Sequence, residues 1–196
     1  GLICEATSPA DLARQAAEDA RYMCERQFGD SPAVSIRGTT DKTFAYVPSH
    51  LYYVLFELLK NSMRAVVEQH GEDGAGNMDD LPPVRVVIAD GETNEDVCVK
   101  ISDVGGGIKR SHIQHCFSYL FTTAGSAAQE QLAGGEDAHD FDRESPLAGL
   151  GYGLPISRTY ARYFGGVACA AVVYALGLPL LCLRLVYRYK EHGKDG

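Results

Sequence analysis

The chain has 196 residues, 45% of them hydrophobic, which is enough for one sizeable α/β core but not comfortably for two. A formal net charge of -8 leaves no basic stripe that could neutralise a nucleic-acid backbone, so no nucleic-acid partner is expected. The six cysteines lack metal-ligand spacing and are expected to be reduced thiols, and the N-terminus carries no recognisable targeting segment.

The first half of the chain predicts two helices with short strands between them. A Ser-Pro-Ala-Asp sequence supplies an N-cap, a first-turn proline and a first-turn acid, and predicts a helix over residues 8–28. Two short extended segments are predicted at 33–36 and 43–47. Apolar residues then recur at helical spacing, which predicts a longer helix over 49–71 with Ser49 as its cap.

The second half of the chain predicts mainly strands. We expect a loop at 72–80, two neighbouring strands at 84–89 and 97–101, and a short helix at 111–117. A lid at 122–148, a helix that starts at a proline at 155–164, and a β-hairpin at 167–187 follow. The uncharged stretch 165–183 approaches the length of a membrane span, but its glycines and proline favour the hairpin, so no span is expected. The elements add up to an α/β two-layer sandwich, with helices on one face of a mixed, mostly antiparallel sheet.

The helix over 49–71 carries a polar face. Four residues spaced three and four apart share this face: Glu57, Lys60, Asn61 and Arg64. The side-chain oxygen of Asn61 suits Mg²⁺, which favours hard oxygen ligands and keeps substrate phosphates in its shell. Glu57 is suited to accept a proton from an attacking hydroxyl, and Arg64 to reach a phosphate. A solvated face with ion pairs is the alternative for Glu57 or Arg64 taken singly.

Two glycine-rich segments indicate a nucleotide site. Asp103 and three consecutive glycines follow a predicted strand, where glycine permits close backbone approach and the carboxylate can accept the exocyclic amine of a purine. The segment 149–155 leads into a helix, so its N–H groups can face a phosphate chain. It matches neither the Rossmann fingerprint nor the P-loop. An ordinary strand-to-helix turn and a loop hinge are the respective alternatives.

Taken together, these motifs resemble a known ATPase superfamily. Phe-Glu-Leu-Leu-Lys-Asn-Ser-Met-Arg-Ala, Ser-Asp-Val-Gly-Gly-Gly, Phe-Thr-Thr-Ala and Gly-Leu-Gly-Tyr-Gly-Leu-Pro are similar to the N-box, first glycine box, lid and second glycine box shared by gyrase, Hsp90, MutL and histidine kinases. Within that superfamily, Val-Pro-Ser-His-Leu, Phe-Ser-Tyr and residues 146–158 resemble the mitochondrial pyruvate and branched-chain 2-oxoacid dehydrogenase kinases more than bacterial sensors. The resemblance covers residues 32–166 best.

The resemblance implies an ATP-dependent protein serine kinase of the mitochondrial matrix, with the Bergerat ATP-binding fold, that phosphorylates the E1 component of a 2-oxoacid dehydrogenase complex. It implies Glu57 as general base, Asn61 as Mg²⁺ ligand and Asp103 as adenine contact. It also places the following residues beside ATP or ADP: Lys60, Arg64, Gly105, Gly107, Thr122, Thr123, Gly149, Leu150, Gly151, Tyr152, Gly153 and Leu154. Whether the substrate is the pyruvate or the branched-chain E1 stays open.

The resemblance also implies partners. The family carries an N-terminal helical-bundle domain that binds the lipoyl domain of the E2 core, and we expect this chain to lack that domain. Family members dimerise through the sheet, so a homodimer is expected. One departure is Gly177-Leu178-Pro179, which stands where the family has a Gly-Thr pair and leaves one adenine-side hydroxyl contact open.

Three other functions compete with this interpretation. A sensor histidine kinase would need a phosphoacceptor histidine on an upstream helix, and the helix predicted over 8–28 contains no histidine. An ATP-driven clamp of the Hsp90 or MutL kind would need a transducer domain after the sheet. A nucleotide-sensing module without phosphate transfer differs from the kinase interpretation only in the role of Glu57.

Overall fold

The computed structural model of the chain describes residues 2–71, 81–90, 96–122, 151–163, 167–173 and 178–186. The elements follow in this order: β1 (Cys4–Thr7), α1 (Pro9–Phe28), β2 (Val34–Gly38), β3 (Phe44–Tyr46), α2 (Pro48–Gly71), β4 (Val84–Asp90), β5 (Asp96–Ser102), α3 (Arg110–Ile113), α4 (Gly153–Tyr163), β6 (Val167–Val173) and β7 (Leu178–Val186). The predicted loop 72–80 and the predicted lid from Thr123 onward lie outside the described residues.

One mixed sheet organises the chain, with strands in the order β2-β4-β5-β7-β6. Strands β2 and β4 run parallel, with Val34 beside Val84, and the other three neighbouring pairs are antiparallel. Strands β1 and β3 form a separate antiparallel pair. The predicted adjacency of β4 and β5, the C-terminal hairpin and the α/β fold class are confirmed.

The alternation of side chains in β4 and β5 decides which face of the sheet is covered. The exposed positions Arg85 and Lys100 lie between buried ones, as expected for a sheet with one face in solvent. The buried positions are Val84, Val86, Ile88, Val97, Val99 and Ile101. Helices α1 and α2 join this apolar face in one core. The predicted two-layer arrangement, with helices on one face, is therefore present in the described part of the chain.

Helix α2 is anchored in this core by its apolar face. Its fully buried side chains include Leu51, Val54, Leu55, Leu59, Met63 and Val66. Each side chain of this size contributes roughly 1.5–3 kcal/mol when it is withdrawn from water. The opposite, polar face of α2 is therefore held at a fixed height above the sheet, and the candidate site is built on that face.

Small residues let α1 lie close to α2. The buried positions of α1 are mostly alanines at helical spacing: Ala10, Ala13, Ala16, Ala20 and Cys24. The Ser8 hydroxyl accepts the Asp11 N–H at 3.2 Å, so the predicted N-cap is confirmed. Gly29 closes the helix in a left-handed conformation, with its N–H donating to the Glu25 carbonyl at 2.8 Å.

Several predicted boundaries were wrong. Helix α2 begins at Pro48, and the Val47 carbonyl accepts the Leu51 N–H at 3.2 Å, so Ser49 lies inside the helix and is not its cap. The helix predicted over 111–117 ends at Ile113 and continues as turns. Helix α4 begins at Gly153 instead of Pro155. Strand β1 was missed, because its four residues lack apolar alternation.

None of the helices in the described ranges combines the length and apolar character that crossing a bilayer requires.

Gly38 offers a test of the parallel pair. It has φ +100, and a Cβ there would lie 1.9 Å from the Ile88 carbonyl oxygen, which accepts the Thr39 N–H at 2.9 Å. We expect Gly38→Ala to lower the free energy of unfolding by about 3 kcal/mol, because strained backbone and strand separation add together. In the control Gly29→Ala, φ is also positive but nothing lies within 4 Å, so a loss of only about 1 kcal/mol is expected. Urea unfolding measures both variants, and equal losses would contradict the crowding at Ile88.

Candidate functional site

Glu57 and Lys60 form an ion pair that is almost withdrawn from solvent. Glu57 is 9% exposed and Lys60 is 8% exposed. The Lys60 ammonium donates to Glu57 Oε1 at 2.8 Å and lies 5.3 Å from the centre of the Phe56 ring. Either charge alone would be costly at this depth, so the two side chains stabilise each other in place.

The start of helix α4 lies against the same carboxylate. A Cβ on Gly153 would be 2.2 Å from Glu57 Oε2, so only a residue without a side chain fits there with the carboxylate in this position. The structure therefore brings the described part of the second glycine segment, Gly151 to Leu154, beside the polar face of α2. Gly149 and Leu150 lie outside the described residues.

The first glycine segment lies along α2 on the side of β5. A Cβ on Gly105 would be 2.4 Å from the Cβ of Ala65, so loop and helix touch through backbone and a methyl group. The Nε2 atom of His70 lies 3.1 Å from the Val104 carbonyl oxygen. Gly106 and Gly107 have φ of +77 and +80, a conformation that favours glycine. Several contacts thus fix this loop to α2.

Asp103 lies at the start of this loop, directly after β5. Its Oδ1 accepts the Gly105 N–H at 2.9 Å, and it is also hydrogen-bonded to the side chain of the buried Ser62 on α2. Burial raises the pKa of Asp103 above its ordinary value of 3.8, and the bonds from Gly105 and Ser62 oppose that rise. Desolvation dominates, so the carboxyl is held in a place that disfavours its charge.

The base of the predicted lid contacts the second glycine segment. The Leu120 N–H donates to the Gly151 carbonyl at 3.2 Å, and a Cβ on Gly151 would be 2.6 Å from the Leu120 carbonyl carbon. Leu120 itself has φ +64, which is uncommon for a branched side chain. The rings of Tyr119 and Tyr152 lie 6.0 Å apart. Residues 118–122 and 151–153 therefore form one contact region.

The remaining predicted site residues are placed less closely together. Arg64 Nε lies 3.4 Å from Glu68 Oε1, so its guanidinium pairs along α2. Asn61 is half-buried on the same helix, and Thr122 is half-buried at the base of the lid. Thr123 lies outside the described residues, as does Gly177 of the departing Gly-Leu-Pro segment, whose Leu178 and Pro179 belong to β7.

Sequence reasoning missed two members of the site. Ser62 was not recognised as a partner of Asp103, because a serine beside Asn61 on an apolar helix gives no signal of its own. The fit between Gly105 and Ala65 was also missed, although a small residue on α2 is a weak sign of close approach. Among the residues that the structure describes, no cluster of three or more His, Cys, Asp or Glu side chains is placed to hold a metal ion.

Comparison with known proteins places this geometry in context. A family described as histidine kinase-, DNA gyrase B-, and HSP90-like ATPase matches residues 46–177. The chain is 47% identical over 173 residues to a protein of Drosophila melanogaster named pyruvate dehydrogenase (acetyl-transferring) kinase, mitochondrial, and 46% identical over 166 residues to a protein of that name from Arabidopsis thaliana. It is 40% identical over 172 residues to the mitochondrial isozyme 3 of Mus musculus.

These similarities cover most of this chain but a smaller part of the relatives. Each of the three alignments covers 85% of this chain, and they cover 38%, 43% and 38% of the three relatives. The chain therefore spans less than half the length of the curated relatives it matches.

Asp103 gives a prediction about stability and pH. Because its pKa is raised in the folded state, Asp103 stays protonated to a higher pH in the folded chain than in the unfolded chain. Its contribution to the free energy of unfolding therefore falls as pH rises above about 3.8 and through the folded-state pKa. Asp103→Asn removes the charge, so the free energy of unfolding of the variant relative to wild type is expected to rise between pH 4 and pH 7.

Urea unfolding across this pH range measures the difference. The control is Asp41→Asn, which removes an exposed carboxyl group and is expected to show a smaller change with pH. A difference between Asp103→Asn and wild type that does not depend on pH would contradict the desolvation of Asp103.

Proposed function

The chain belongs to the family of histidine kinase-, DNA gyrase B- and HSP90-like ATPases, and on that premise we propose that it is the catalytic domain of a mitochondrial protein serine kinase. Its substrate is the E1 component of the pyruvate dehydrogenase complex. The observation that carries the proposal is the contact between Glu57 and Gly153, because it places a carboxylate at the end of a segment suited to phosphates. The names of the relatives support pyruvate over the branched-chain substrate and do not favour a sensor histidine kinase.

ATP binding follows from membership of the family, and the proposed contacts follow the geometry. Asp103 accepts the adenine amine, with Gly105 and Gly107 giving close backbone approach. The N-terminus of α4 faces the phosphates. The proposed contacts of the ribose and phosphate chain are Gly149 to Leu154 and, at the lid base, Thr122 and Thr123. The proposed nucleotide site is therefore the region where the two glycine segments meet α2.

Asn61 is the proposed protein ligand of Mg²⁺. Its half-buried amide, one turn along α2 from Glu57, fits a hard cation that takes most of its other ligands from phosphates and water. When bound, the ion neutralises charge that develops on the phosphate oxygens. Arg64, paired with Glu68 along the helix, is near enough in sequence to add a cation to the same site.

Glu57 is the proposed general base. The substrate serine oxygen attacks the γ-phosphorus, the bond to the bridging β–γ oxygen breaks, ADP leaves, and Glu57 takes the hydroxyl proton. Because the carboxylate is almost withdrawn from water and paired with Lys60, its position is set before the substrate arrives. The protein's contribution is therefore orientation of the reacting oxygen and a place for its proton.

The proposed kinase acts with partners. We place it in the mitochondrial matrix, as a homodimer formed through the sheet, with a separate helical-bundle domain of the full protein binding the lipoyl domain of the E2 core. Sedimentation of the purified chain tests dimerisation, and a monomer at tens of micromolar would exclude it.

Calorimetric titration with ADP tests the nucleotide site. Wild type is expected to bind ADP, with higher affinity in the presence of Mg²⁺. Asn61→Ala is expected to lose at least about tenfold in affinity in Mg²⁺ and to lose the response to the ion, because the proposed protein ligand of the ion is gone. The control Gln15→Ala removes an exposed amide from α1 and is expected to bind as wild type does. No binding by folded wild type would overturn the nucleotide site.

Transfer of labelled phosphate from ATP to isolated pyruvate dehydrogenase E1 tests the activity. Wild type is expected to label serine on E1, and to label branched-chain E1 more slowly. Glu57→Gln keeps the shape of the side chain but cannot take the proton, so the rate is expected to fall by about a hundredfold or more while the affinity for ADP is retained. Wild type that binds ADP but transfers nothing to E1 would indicate a nucleotide-binding module and contradict the kinase proposal.

A further inference from the structure

The two carboxylate oxygens of Glu57 have different neighbours. Oε1 accepts the Lys60 ammonium at 2.8 Å, while Oε2 is the atom that a Cβ on Gly153 would meet at 2.2 Å. One oxygen is therefore tied to the same helix, and the other faces the start of α4. A carboxylate held by one oxygen has lost most of its rotational freedom, and the direction of its second oxygen is fixed.

The environment of Lys60 shows what its charge is used for. The side chain is 8% exposed, and its ammonium lies between the Glu57 carboxylate and the Phe56 ring, 5.3 Å from the ring centre. If Lys60 turned away from Glu57 to reach a phosphate, Glu57 would remain buried without its partner charge. The resemblance implied Lys60 as a neighbour of the nucleotide, but the geometry directs its charge to Glu57.

We propose that Lys60 is a positioning residue for Glu57, which holds Oε1 so that Oε2 is the oxygen that takes the proton of the substrate hydroxyl. The inference rests on the proposed kinase function and assigns Lys60 a part in it that is separate from nucleotide binding. Lys60 does not touch the reacting atoms; it acts through Glu57. Gly153 completes the arrangement, because a side chain there would push Oε2 out of the space beside α4.

The Lys60–Glu57 pair is separate from the contacts of Asp103, so one can be disturbed without the other. Asp103, with Gly105 and Ser62, lies on the side of α2 that faces β5, whereas Lys60 contacts Glu57 and Phe56. Removal of the Lys60 charge should therefore disturb the base and leave the adenine contacts as they are. This difference distinguishes a positioning role from a nucleotide-binding role.

Two substitutions of Lys60 separate charge from packing. Lys60→Met keeps the apolar stem against Phe56 and removes the ammonium, and it is expected to lower kcat for E1 phosphorylation by about tenfold or more. The Kd for ADP and the KM for ATP are expected to stay within about twofold of wild type, because neither depends on proton transfer to Glu57. Lys60→Arg restores a donor and a charge, and is expected to recover at least about a third of wild-type kcat.

A matched control removes another ion pair. Lys42 lies 2.7 Å from Asp90, and both side chains are partly buried at the end of the sheet. Lys42→Met is expected to lower stability without changing kcat. A weaker ADP affinity in Lys60→Met with unchanged kcat would overturn the inference and make Lys60 a nucleotide contact. Equal kcat for wild type and Lys60→Met, or no recovery in a folded Lys60→Arg, would also overturn it.

A second measurement does not depend on phosphate transfer. Thermal unfolding of Glu57→Gln, Lys60→Met and the double variant forms a double-mutant cycle. Each single change leaves one buried charge without its partner, so each is expected to lower Tm, and the double variant is expected to lose clearly less than the sum of the two. Additive losses would show that the pair is not formed and would overturn the inference.

The two measurements distinguish failure of the inference from failure of the proposed function. Wild type that binds ADP and phosphorylates nothing would overturn the kinase function, and the cycle would still decide whether Lys60 holds Glu57. Wild type that is active, with a coupled pair but unchanged kcat in Lys60→Met, would retain the kinase function and reject the positioning role.

Discussion

The candidate site depends on two places where backbone lies against helix α2 at a distance that only glycine permits. Gly105 meets Ala65, and Gly153 meets the Glu57 carboxylate, at two positions along the helix. Helix α2 can serve both contacts because its apolar face is anchored in the core by side chains such as Leu55 and Leu59. The first glycine segment, the second glycine segment and the polar face of α2 therefore share one rigid reference, and their relative positions follow from it.

Burial gives this site its chemistry at a cost to stability. The Lys60–Glu57 pair is buried and the half-buried Asp103 carboxyl is partly desolvated, and replacing such groups by apolar ones often leaves a fold equally or more stable. Their presence on α2 and at the end of β5 is explained better by function than by folding. A partly desolvated carboxyl with a raised pKa, such as that of Asp103, gains from a ligand that donates a hydrogen bond, and a buried carboxylate held by an ammonium is oriented before a substrate arrives.

The sequence was sufficient for the parts of the fold that follow from periodicity. Helical spacing predicted α2, alternation predicted β4 and β5 as neighbours, and both were confirmed. The same spacing placed Glu57, Lys60 and Arg64 together, but it could not show that Lys60 turns to Glu57 whereas Arg64 turns to Glu68. These choices depend on neighbouring elements. The hydrogen bond between Ser62 and Asp103 joins α2 to a residue 41 positions later in the sequence, so no local pattern contains it.

The order of strands in the sheet has a consequence for how the chain reaches this structure. Strand β2 pairs in parallel with β4, which follows it only after β3 and the whole of α2, and β5 pairs with β7, which follows α3 and α4. Two of the four strand pairings in the sheet therefore join distant parts of the chain, whose entropy must be lost before the pairing is gained. Helices α1 and α2 can associate earlier, since only two short strands separate them. The nascent chain would then expose the unpaired edge of β5 until β7 is synthesised, and an unpaired strand edge is prone to aggregation.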